Sequence, residues 1–213
     1  MMKSALVKTV LAAILLTVPT VGSAQTADAV GPTRAVIREL IEKSFPELAG
    51  ETIEVKPFES ETDFFKSRFA IDRFLTFRRP HYVIFVNPEV YRRAAPADGV
   101  RAILAHELAH VLYYRRKNRF ELLGLAALAS PGFTAGFERR ADLEAVVRGY
   151  GEGLKSYRRW LYENIPAAAV GAKMRDYFSP AELDAMLRVL GADPLKIDVW
   201  RRRVPRNLAD ISK

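Results

Sequence analysis

The stretch "RAILAHELAHVLYY", residues 101–114, carries two of the three histidines in the chain. His106 and His110 stand four residues apart, with Glu107 directly after the first. In the longer run "PADGVRAILAHELAHVLYYRRK", Asp98 can serve as N-cap. The run ends on Arg115, Arg116 and Lys117, whose charges suit a helix C-terminus. At about 100° per residue, Val100, Leu104, Leu108 and Val111 share one face, and the two histidines fall roughly opposite, about 40° from each other. Ala102, Ile103 and Ala105 surround that second face. The helix is therefore apolar nearly all round, which implies burial. Two imidazoles and a carboxylate on a buried helix need partners.

H-E-x-x-H supplies a reason for them. Residues at i and i+4 lie one turn apart on one face, so His106 and His110 can converge on one Zn²⁺. Glu107 points beside the metal, where it can take a proton from a zinc-activated water. A catalytic zinc keeps three protein ligands and one open position. With no cysteine in the chain and no histidine after His110, the third ligand must be a carboxylate. The candidates lie in "TAGFERRADLEAVVRGY", residues 134–150, where Thr134 can cap a helix with apolar spacing through Phe137, Ala141, Leu143, Ala145 and Val146. Glu138 and Asp142 share one face of it, while Glu144 points elsewhere. On its own this segment reads as an exposed charged helix. Beside a zinc-binding pair it offers the best-placed acids.

"HELAH" followed by "ERRAD" resembles the gluzincin group of zinc metallopeptidases. The resemblance covers roughly residues 98–148. It implies that His106, His110 and Glu138 are the zinc ligands, that Glu107 is the general base, and that Asp142 orients His106 from behind. The form E-x-x-A-D is similar to that of the prenyl-protein and heat-shock membrane peptidases, which have several membrane spans. This chain looks like a soluble, minimal relative. The resemblance also implies an edge strand just before the active-site helix, and "HYVIFVN", residues 81–87, fits it. Such a strand binds extended substrate by strand addition. Relatives supply a downstream His, Tyr or Arg for the oxyanion, and here Tyr150, Tyr157, Arg175 and Tyr177 are open candidates. His81 reads as a strand-end or surface residue.

The rest of the chain gives the frame. At 213 residues and 49% hydrophobic content it can bury one sizeable core. The N-terminal "MMKSALVK", the apolar "TVLAAILLTVPTV" and the small residues of "GSAQ" form a secretory signal pattern, with cleavage after Ala24. Expected domains are thus a signal peptide, 1–24, and one zincin-like domain, 25–213, exported to the periplasm or secreted, with an uncleaved signal acting as an anchor as the alternative. Residues 25–32 read as a flexible lead-in. A helix is expected from Thr33, a half-buried strand in "ETIEVKPF", and mostly helix after Asp98. "DFFKSRFAIDRFLTF" fits neither period. "RGYGEGL" follows a helix and reads as a C-cap and hinge, "SPAEL" as a capping box, and "FELLGLAALASPGF" as a buried helix or as a lid or membrane-touching element over the cleft.

The expected fold is α+β, zincin-like, mostly helical with a small mixed sheet and an active-site helix carrying HELAH. The expected activity is zinc-dependent hydrolysis of peptide bonds in an exported protein or peptide, with one Zn²⁺ per chain. The alternatives are an inactive zinc-binding scaffold and an envelope-associated binding protein. The net charge of +8, with the basic run "WRRRVPR" near the end, favours contact with an anionic envelope surface. Nucleic acid is not expected as a partner.

Overall fold

A computed structural model describes residues 22–69, 81–117 and 131–212. The chain is α+β, mostly helical, with one small mixed sheet. Helix α1 (Gly22–Ser44) leads through a 3₁₀ turn (Pro46–Leu48) into strands β1 (Ile53–Pro57), β2 (Phe65–Phe69) and β3 (Tyr82–Val86). A short α2 (Glu89–Arg92) precedes the long α3 (Ala97–Arg116). Then come α4 (Pro131–Ala145), a π-helical turn (Val146–Tyr150) and α5 (Gly151–Asn164). Helices α6 (Ala167–Asp176), α7 (Pro180–Ala192), α8 (Lys196–Arg202) and α9 (Leu208–Ser212) complete the order.

Helix α3 is the centre of the molecule. From Gly99 to Leu112 every residue but Arg101 is buried, as its all-round apolar character requires. It begins one residue before Asp98, with Pro96 at the N-cap and no side-chain cap, so Asp98 lies in the first turn instead. Its acid still suits the positive end of the helix. Helix α5 crosses α3 closely at Gly153, where a β-carbon would stand 2.5 Å from the Asp98 carbonyl oxygen. Gly149, at φ 91°, gives the left-handed step between α4 and α5, as the hinge reading expects. The capping box at Ser179 and Glu182 is present as read.

The sheet order is β1-β3-β2, with β1 parallel and β2 antiparallel to β3. This corrects the expectation for residues 81–87: β3 is the central strand, not an edge. Its uninterrupted run "YVIFV" is buried at four of five positions, which suits a strand paired on both sides. The edge strand beside α3 is β2, in the segment whose periodicity is ambiguous. Residues 70–77 of that segment lie outside the described residues. So do residues 118–130, and with them most of the apolar stretch 120–133.

The N-terminal reading also changes. Residues 25–32 are not a flexible lead-in but part of α1, which carries Pro32 in its interior. Tertiary contact outweighs the broken ladder: Ala29 is buried, and buried Thr33 shares a 2.7 Å hydrogen bond with the Tyr91 hydroxyl. Most of the expected signal, residues 1–21, lies outside the described residues. Among the described residues, no helix is long and apolar enough to cross a membrane.

Candidate metal centre

His106 and His110 project from the middle of α3, and Glu138 and Asp142 project from α4 to meet them. His106 contacts Asp142 and Glu138, whereas His110 contacts Glu138, so rising along α3 pairs with descending along α4. Three ligand atoms converge. The two Nε2 atoms are 3.1 Å apart, and Glu138 Oε2 lies 3.1 Å from His106 Nε2 and 3.0 Å from His110 Nε2. The edge of a tetrahedron with bonds of about 2.0–2.1 Å is roughly 3.3–3.4 Å. The three atoms therefore fit one face of a tetrahedral zinc site with adjustments of a few tenths of an ångström.

The rings are fixed from behind. His106 Nδ1 is 2.8 Å from Asp142 Oδ1. With a proton on Nδ1 donated to that carboxylate, the Nε2 lone pair is free to bind a metal. His110 stacks on Phe137 at 4.3 Å between ring centres and meets His106 edge-on at 4.7 Å. Asp142 is fully buried. It accepts hydrogen bonds from Arg158 at 2.9 Å and from the Phe178 backbone N–H at 2.9 Å.

The electrostatics of the metal-free cluster follow. Burial opposes charge on His106, but the neighbouring carboxylates of Asp142 and Glu138 outweigh it and push the pKa up to about 10. Burial likewise opposes ionisation of Glu138, yet His110 and His106 hold its carboxyl well below the usual range. For Asp142, Arg158 is the strongest of the groups that overcome burial and lower its pKa. The acids thus stay ionised, and a metal competes with a proton for His106.

Glu107 is buried, and among the described residues its carboxylate takes part in no hydrogen bond or ion pair. It borders two small cavities. One, of about 130 Å³, also touches His110, Glu138, Tyr177 and β2 residues Phe65, Lys66 and Ser67. The other, of about 20 Å³, touches His106, Tyr157, Arg158 and Tyr177. Asn87 pins the loop before β2 by donating to the Ser60 and Asp63 carbonyls at 2.8 and 3.2 Å. Asp63 then pairs with Lys173 of α6 at 2.5 Å beside the same cavities.

The open candidates separate by position. The Tyr150 hydroxyl is bonded to Ser44 at 2.6 Å, and Arg175 is exposed and paired with Asp176. Tyr157 is buried and borders only the smaller cavity of the two. Tyr177 borders both, its ring 5.8 Å from His106 and under the Arg158 guanidinium at 4.4 Å. Glu144 points away and pairs with Arg148, and His81 bonds Glu54 at the start of β3. Thr134 is not a cap, since α4 starts three residues earlier, at Pro131.

Sequence reasoning missed Arg158. The signal was there: Leu154, Tyr157, Arg158 and Leu161 form one i, i+3, i+4, i+7 stripe, and an arginine inside it must meet a buried acid. Replacing Asp142 with Asn keeps the shape but leaves Arg158 buried without a counter-charge. Breaking such a pair costs about 3–5 kcal/mol, and loss of the support behind a ligating histidine weakens metal binding roughly 10–100-fold. Thermal unfolding of the metal-free variant and a zinc competition titration measure the two effects. Unchanged values in both would remove Asp142 from the site.

Comparison of the chain with protein-family models, curated proteins and solved structures finds no match to any of them.

Proposed function

We propose that the protein is a zinc-dependent peptidase of the gluzincin type. The observation that carries this reading is the convergence of His106, His110 and Glu138 within 3.1 Å of one another beside Glu107, which is unpaired among the described residues. A zinc ion in this position would polarise the scissile carbonyl and acidify the attacking water. Glu107 takes the proton from that water and delivers it to the leaving amine. Asp142 holds the His106 ring, and Arg158 holds Asp142. Among the described residues β2 pairs only with β3, so its outer edge is free to hydrogen-bond an extended peptide across the cavity.

Tyr177 takes the oxyanion role. Burial, reinforced by Glu138, pushes its hydroxyl well above the ordinary pKa, so it remains a hydrogen-bond donor throughout the neutral range. Tyr177→Phe should lower kcat about 10²–10³-fold, the usual loss for one such donor, with little change in KM and none in zinc content. A fall confined to KM would place Tyr177 in substrate binding instead.

The reading as a whole is tested by turnover of an unfolded casein. Cleavage should stop on chelation and return when one equivalent of zinc is restored. Cleavage that survives complete metal removal would contradict it. A chain that holds zinc but cleaves neither casein nor a peptide library would support the inactive scaffold.

A further inference from the structure

The start of α4, the end of α6 and the chain after α8 enclose a groove of about 520 Å³. Its charged lining consists of Arg139, Arg140, Arg175, Arg202, Arg203 and Arg206, without a single carboxylate. Arg139 is tied to Glu182 at 2.8 Å and forms the inner wall, and Arg175 pairs with its neighbour Asp176. Arg140, Arg202, Arg203 and Arg206 are exposed, and among the described residues their guanidinium groups form no ion pair, although the Arg206 backbone N–H donates to the Asp210 carboxylate at 3.1 Å. Four unneutralised guanidinium groups beside one groove repel one another, and an anionic partner relieves that repulsion.

A second observation indicates what kind of anion. The large hydrophobic side chains left exposed among the described residues are Met174, Leu195, Val199 and Leu208. Met174 adjoins Arg175 in the chain, and Leu195, Val199 and Leu208 fall in the terminal segment that carries Arg202, Arg203 and Arg206. The Met174 carbonyl accepts from Arg139 Nη2 at 3.4 Å, at the groove wall. Leu195 and Val199 are one helical turn apart, and Arg202 and Arg203 follow Val199 at the i+3 and i+4 positions of the same face. Trp200 lies off that face and is buried, which anchors the helix and leaves the basic, apolar side outward. Leu208 follows Arg206 by two residues in the same terminal segment. Guanidinium groups interleaved with aliphatic side chains are the pattern of a surface that meets phosphate headgroups and the acyl boundary beneath them. The groove lining contains no aromatic ring on which a nucleobase could stack.

We propose that this face docks on an anionic phospholipid surface. The arginines engage phosphodiester headgroups, and Leu195, Val199 and Leu208 enter the acyl boundary. The groove shares no lining residue with the two cavities beside the metal centre, and the docking does not depend on the metal's chemistry.

The absence of cysteine allows a local probe. Val199→Cys, labelled with an environment-sensitive fluorophore, is titrated with vesicles of phosphatidylcholine alone and of phosphatidylcholine mixed with phosphatidylglycerol. The label should shift to the blue on the mixed vesicles only, and high salt should reverse the shift. Each arginine near an anionic surface contributes about fivefold to partitioning, so Arg202→Gln, Arg203→Gln and Arg206→Gln together should weaken the titration roughly 100-fold. Because these side chains are exposed, the variant's thermal melt should match that of the parent. Inorganic phosphate should leave the label unshifted, since a free anion brings no apolar phase. No shift on mixed vesicles, an equal shift on phosphatidylcholine alone, or an unweakened titration in the triple variant would overturn the proposal. A shift produced by a single-stranded oligonucleotide at lower concentration than by mixed vesicles would overturn it in favour of nucleic acid.

Discussion

Glu107→Gln should reduce peptide hydrolysis by roughly 10²–10⁴-fold while zinc content stays near one per chain. The substitution keeps the size of the side chain and removes only its capacity to accept a proton. Glu107 holds no other group among the described residues, so its replacement breaks no ion pair. It borders both cavities that touch the ligand residues, where a water molecule and a scissile carbonyl would have to meet. Parallel assays of casein cleavage and bound zinc separate the two roles. Equal turnover by both proteins would show that the base lies elsewhere, and loss of zinc together with turnover would make Glu107 a ligand.

His106→Ala or His110→Ala should abolish stoichiometric zinc and all zinc-dependent turnover. Each substitution removes one of three converging atoms, and two remaining donors on separate helices make a poor tetrahedral site. The two variants should differ in the metal-free state. Removing His106 also strips a partner from buried Asp142, whereas among the described residues the polar contacts of His110 are with Glu138 and His106. Before zinc is added, the His106 variant should therefore melt at the lower temperature. Full zinc retention in either variant would contradict the ligand assignment.

The candidate site was legible in the sequence because helices impose their own geometry. His106 and His110 on α3, and Glu138 and Asp142 on α4, each sit at i and i+4, so each pair had to share a face. Only the meeting of the two helices needed the structure. Strand order was less legible. Periodicity tells which face of a strand is buried, not which strand lies beside it. Yet "YVIFV" is apolar throughout, and that already argues against an edge. Strand β2 was ambiguous because Phe64 and Phe65 are adjacent and both buried, which breaks the alternation. Residues 25–32 read as a flexible lead-in, but Ala29 and Thr33 on either side of Gly31 and Pro32 are buried, and that packing keeps α1 continuous. Arg158 carried its signal in the stripe of α5, although only the fold shows that its partner is Asp142.

The most direct measurement is X-ray absorption at the zinc edge of the purified, zinc-loaded chain. The account predicts one zinc per chain in a four-coordinate shell of two imidazole nitrogens and oxygen donors, at about 2.0–2.2 Å, with the imidazole signal halved in neither Glu107→Gln nor Tyr177→Phe. A chain that cannot be loaded with zinc, or a zinc held by fewer than two imidazoles in the wild type, would contradict it.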